Sequence, residues 1–200
     1  MTMTTWCALA VVLSLTHPLT PQSAASKAQS DADLKELSSY TLTMDTLNKV
    51  DRAMRAAAVE IKKDPKFIEA KKIEAELEAL KKKEEPTESD DKRVEALERR
   101  LDALDDDGMN MGDAQTIGQM AAKIEKFAPM MTGLRSAGLT AREYAKFTMA
   151  TLQAGLAAGM QKAGLLKEVP AGTNPANVKF MLDHEADFQK MQAAWAALEK

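Results

Sequence analysis

From residue 43 onward, apolar side chains recur at intervals of three and four, the repeat of a helix with one face turned inward. Leu47, Val50, Met54, Ala57 and Ile61 form the first such stripe and predict a helix over 43–63. Asp64-Pro65 closes it and opens the next, with aspartate as N-cap and proline in the first turn. Phe67, Ala70, Ile73, Leu77 and Leu80 then continue the stripe across 65–83, among Lys71, Lys72, Glu74, Glu76, Glu78 and Lys81-Lys82-Lys83. After the break Glu85-Pro86-Thr87-Glu88-Ser89-Asp90, the residues Val94, Leu97, Leu101 and Leu104 predict a third helix over 90–104. Two narrow seams joined by a short polar turn predict that 65–104 is an inserted charged helical hairpin, a coiled-coil-like arm.

The second half follows the same logic. Asp105-Asp106-Asp107 oppose the dipole at a helix C-terminus, so a loop is expected through Gly112, with Asp113 as the next cap. Ile117, Met120, Ile124 and Phe127 mark a helix, Pro129 breaks it, and a short helix over 129–137 ends before Gly138. Thr140-Ala141-Arg142-Glu143 is a capping-box sequence and opens a helix to about 163. Asn174-Pro175 begins a last helix over 175–199, with Val178, Met181, Phe188, Met191, Trp195 and Leu198 inward. Alternating β-branched runs of the kind that make strands are missing. The prediction is an all-α helical bundle, one domain over 40–200.

Composition sharpens this. Hydrophobic residues make up 45% and charged residues 28%, which suits a chain that buries a core, and the scarcity of aromatics (4%) beside abundant Ala, Met, Leu, Lys and Glu favours helix. Residues 1–25 contain no charged side chain, and their apolar run Trp6-Cys7-Ala8-Leu9-Ala10-Val11-Val12-Leu13-Ser14-Leu15 leads to Ser23-Ala24-Ala25. That pattern predicts a signal peptide over 1–25, a mobile leader over 26–39, and a periplasmic or secreted protein with no stable membrane span after signal removal. Removal of 1–25 takes away Cys7 and His17, leaving no cysteine for disulfides and one histidine, His184. A net charge of −3 gives no basis for nucleic-acid binding.

Candidate chemistry is correspondingly sparse. His184 lies on the stripe Met181, His184, Phe188, Met191, Trp195, and a bundle-core haem ligated by histidine and methionine would use it with Met44 or Met54. Packing at the core edge, hydrogen-bonded to Asp187, is the simpler reading of the same residue. Zinc would need several more histidines or cysteines. A calcium loop centred on Gly108 would put Ala103 and Ala114 at its first and last ligand positions. With one histidine and no Gly-x-Ser-x-Gly or phosphate loop, no catalytic residues are assigned and no metal or cofactor is expected. The 13 methionines read as core filler more readily than as an adaptable binding surface.

Three stretches carry a resemblance: Tyr40-Thr41-Leu42-Thr43-Met44-Asp45, Gly138-Leu139-Thr140-Ala141-Arg142-Glu143-Tyr144 and Asn174-Pro175-Ala176-Asn177-Val178-Lys179-Phe180. Together they resemble a group of small exported helical bacterial proteins with no activity attached to them. The resemblance implies a shared fold and transfers no functional residue. The stretch from Gly138 to Phe147 is also similar to the Leu-Thr-x-x-Gln helix starts of small stress-responsive periplasmic chaperones, with Glu143 in place of the glutamine. The expected function is non-enzymatic: a binding, scaffold or chaperone-like protein that meets another protein through the charged hairpin or the bundle surface. A bundle binding a small apolar ligand or haem is the alternative.

Overall fold

The computed structural model describes residues 24–105 and 114–198. Within them it contains nine α-helices and no strand, so the protein is all-α. The signal-peptide reading falls on 1–25, nearly all of it outside the described residues, as do the acidic loop from Asp106 and the expected cap Asp113.

Helix α1 spans Ala24–Ser39. The stretch 26–39, read from the sequence as a mobile leader, lies within this helix, with Leu37 and Asp33 buried. Its hydrophobic pattern is too weak to announce a helix, because one leucine and one buried carboxylate do most of the docking. That carboxylate accepts a hydrogen bond from the Ile117 backbone N–H at 2.8 Å, an interaction that no local pattern encodes.

Helix α2 (Met44–Ile61) is capped by the Thr43 hydroxyl and buries Leu47, Val50, Ala53, Met54 and Ala57. Helix α3 (Pro65–Lys81) starts on Asp64, whose carboxylate accepts from the Lys66 N–H at 2.8 Å. Helix α4 (Glu88–Asp105) begins earlier than its apolar stripe suggests. The cause is a reciprocal cap: the Asp90 N–H donates to Thr87 Oγ1 at 3.2 Å and the Thr87 N–H to Asp90 Oδ2 at 2.9 Å. Aspartate here does the work glutamate usually does in a capping box.

Helix α5 (Ile117–Lys126) is capped by Thr116, and α6 (Ala128–Ser136) follows directly with Pro129 in its first turn. Helix α7 (Ala141–Lys162) carries the full capping box that its sequence announces. Helices α8 (Pro175–Asp183) and α9 (Glu185–Leu198) replace the single last helix expected from the sequence. The break falls at His184, whose N–H still bonds Phe180 O while its carbonyl accepts from the Asp187 and Phe188 N–H groups and starts α9 afresh. Glu185 and Asp187 in that new first turn favour a helix start by their charge. Beyond the break, Phe188 and Met191 are buried, and Trp195 Nε1 donates to Asp51 Oδ1 on α2 at 3.0 Å.

The main core joins α1, α2 and α5–α9. Its axis is the close pair α2 and α6, where Gly133 faces Ala53 and Ala57, both without solvent exposure. Alanines such as Ala145, Ala150 and Ala154 do the same for α7. Helix α8 runs parallel to α7, because its start reaches the Tyr40 link that Lys146 of α7 flanks, while further along both Met181 faces Gly155. A parallel neighbour requires the chain to return first, and 163–174 makes that return with Leu166 and Val169 laid on the core. One polar atom in this region is left over. Thr151 Oγ1 is buried without a hydrogen-bond partner. Replacing Thr151 by valine keeps the shape and removes the desolvated hydroxyl, so urea unfolding is expected to show a gain of about 1 kcal/mol. A loss would mean that the hydroxyl is satisfied in solution.

Candidate functional site

Two arrangements stand out above ordinary packing. The first is at the end of the bundle where α1 hands over to α2. Asn177, 1% exposed, accepts from the Leu42 N–H at 2.7 Å through Oδ1 and donates to Tyr40 O at 2.8 Å through Nδ2. Asn174 donates to the same carbonyl at 2.9 Å while its Oδ1 caps α8. The two asparagines therefore clamp the non-helical link from 40 to 43. Beside it, the Lys146 ammonium stands 5.7 Å from the Tyr40 ring centroid, an attraction of cation to π-face. Arg142 and Lys146 both pair with Glu36 on α1. The Arg142 hydrogen bond, chiefly, holds the Glu36 carboxyl below its ordinary range, and burial raises the Tyr40 phenol above its own. The three stretches that carry the resemblance thus converge at one corner, which sequence distance conceals.

The second is the α3–α4 pair. Its partners run in opposite order along the two helices: Glu69 with Arg100 at 2.8 Å, Glu76 with Arg93 at 2.7 Å and Lys83 with Asp90 at 2.6 Å. The helices are therefore antiparallel. Between them lie Ala70, Ile73, Leu77, Leu97 and Leu104, a hydrophobic cluster separate from the main core. The Arg93 hydrogen bond lowers the Glu76 pKa, and Lys83 together with the Thr87 cap takes Asp90 down to about 2. Depressed carboxylates stabilise the fold above their unfolded pKa of about 4, and that contribution is lost as pH falls through the folded value. Acidification from pH 5 to 2 is expected to broaden or shift the α3–α4 amide resonances. Unchanged α3–α4 shifts at pH 2 would show that these ion pairs contribute nothing, as many exposed pairs do.

His184 is placed at the junction of α8 and α9, with its side chain 32% exposed. Its Nδ1 lies 3.0 Å from Asp187 Oδ2 and its ring 4.5 Å from that of Phe180. Met44, at the first turn of α2, is half-buried against the core, and Met54 is buried within it. The contacts that hold His184 come from its own stretch of chain, those of a capping residue, and none of them brings it to Met44 or Met54. Among the described residues no group of three or more His, Cys, Asp or Glu is arranged to hold a metal ion, and no helix is long and apolar enough to cross a membrane. What the sequence reading missed is the Asn174–Asn177 clamp and the acidic face of α1; the Asn-Pro-x-Asn spacing was the available signal for the first. Comparison of the chain with protein-family models, with curated proteins and with solved structures finds no match in any of the three.

Proposed function

We propose that this is a non-enzymatic, exported helical protein of scaffold or chaperone-like kind that holds another polypeptide. The observation that carries the reading is the α3–α4 pair: a helical unit with its own small hydrophobic cluster, distinct from the bundle core, and with charged outer faces. A unit built that way adds little to the bundle's core while extending the surface available to a partner. Solvent-exposed Val59 and Ile68, near its base, add apolar contact area. The charges fit a partner recognised by polar contacts rather than a nucleic acid, given the slightly negative net charge.

In vivo crosslinking from the native compartment, followed by mass spectrometry, tests this. The full chain is expected to capture a reproducible protein set, and a variant with 65–104 replaced by a short glycine-serine link is expected to lose it while its helical melt persists. Equal capture by the shortened chain would remove the α3–α4 pair as the binding surface. No capture above background by the full chain, or recovery only from the cytoplasm, would refute the reading itself.

A further inference from the structure

Helix α1 is bound to the bundle in the manner of a ligand. One face of it presents Asp33, Glu36 and Leu37, residues at i, i+3 and i+4 that stand side by side on a helix. Each meets a matching feature. The Asp33 carboxylate accepts from the first N–H of α5, at 2.8 Å, where the helix dipole favours negative charge. Glu36 pairs with Arg142 and Lys146 on α7. Leu37 is buried in the main core. Beyond these three, the described side chains of α1 contribute little: Leu34 is 41% exposed even though it touches Gly172. By contrast α2 buries five residues.

The link that follows α1 is held by contacts of its own. Asn177 and Asn174 grip Tyr40 and Leu42, immediately after α1 ends, so the clamp holds the chain at the point from which α1 would swing. We propose that α1 is a displaceable internal ligand, and that the groove beneath it, formed by the N-terminus of α5 with Arg142 and Lys146 of α7, receives an acidic-apolar helix of a partner protein bearing the pattern Asp-x-x-Glu-Leu. This groove is a surface separate from the α3–α4 pair and is closed by α1 in the unaltered chain; the inference rests only on the reading that the protein holds another polypeptide. The partner's carboxylates replace those of Asp33 and Glu36, and its leucine replaces Leu37. Charge complementarity selects such a helix over a basic one, which would meet two cations and the positive end of a helix dipole.

The test uses the full chain and a fluorescent synthetic peptide of residues 31–43. While α1 is docked, the peptide's apparent affinity is lowered by the fraction of time the groove is open. The double substitution Asp33→Asn and Glu36→Gln weakens α1 and leaves the groove intact, so anisotropy is expected to show about tenfold tighter peptide binding than in the unaltered chain. Adding Arg142→Ala and Lys146→Ala to that variant is expected to abolish it. If the double variant has lost its helical melt, Glu36→Gln alone serves, because it spares the buried Asp33. A folded variant that fails to bind the peptide, or that binds equally a peptide with both acids and the leucine replaced by alanine, would overturn the proposal. Peptide binding without any captured cellular protein would retain the groove and refute the wider reading; capture without peptide binding would do the reverse.

Discussion

Replacing Gly133 by alanine is expected to lower the stability of the protein by about 2–3 kcal/mol, although the same change normally stabilises a helix. In an exposed helix interior the exchange gains up to about 1 kcal/mol, since alanine loses less backbone freedom on folding. At Gly133 the added methyl would meet α2 itself: the Ala53 carbonyl oxygen, the Ala57 nitrogen at 2.7 Å and the Ala57 Cβ at 2.8 Å. Two of these are backbone atoms of a helix, so no rotamer change relieves the contact. Helices α2 and α6 would have to part, loosening Val50, Ala53, Ala57 and Leu134, all fully buried. Valine should be worse and is expected to leave little folded protein. Gly159 is the internal control, because a Cβ there meets nothing within 4 Å. Chemical denaturation of G133A and G159A should therefore give shifts of opposite sign. Equal shifts would mean that α2 and α6 are not in backbone contact.

Asn177→Ala is expected to cost about 2–4 kcal/mol, a fall in Tm of about 4–16 °C for a chain of this size. The side chain serves two backbone groups of a distant segment. Without it the Leu42 N–H loses the partner it has in this buried link, and Tyr40 O keeps only Asn174. An unpaired buried donor costs its full desolvation, whereas a pair removed together costs little. Asn177→Asp separates the two roles, for it can still accept from Leu42 N–H but sets a carboxylate oxygen against the Tyr40 carbonyl. It is expected to be destabilised at neutral pH and partly restored in mild acid, when the protonated carboxyl can donate. A calorimetric melt of N177A within a degree or two of the unaltered protein would show that water replaces the amide and that the clamp is dispensable.

Much of the fold was legible. The stripe from Leu47 to Ile61, the Asp64-Pro65 start and the Thr140–Glu143 box are local signals whose partners lie within four residues, and the helices follow them. The early start of α4 was misjudged because the apolar stripe begins at Val94, while the Thr87–Asp90 cap sets the boundary. The break at His184 was missed for the opposite reason. The stripe runs across it unbroken, and the interruption lies in the backbone, where His184 caps α8 while its carbonyl starts α9. At the candidate site, His184 drew attention as the one histidine beyond residue 25, yet its surroundings are those of a capping residue. Glu36, Asp33 and Asn177 drew none, because their partners lie 84 to 137 residues away or, for Glu36, on α7.

The amino-acid sequence by itself determined that this protein is helical, where most of its helices begin, and which faces turn inward. Those properties arise from interactions within one turn of chain, and spacing records them. Only long-range contacts set Asp33, Glu36 and Leu37 of α1 against the bundle, made Gly133 a backbone contact, and let two asparagines clamp the link between α1 and α2. Each of these rests on groups brought together from far apart, where the outcome depends on which surfaces fit and which buried polar atoms find partners. Periodicity carries no record of that.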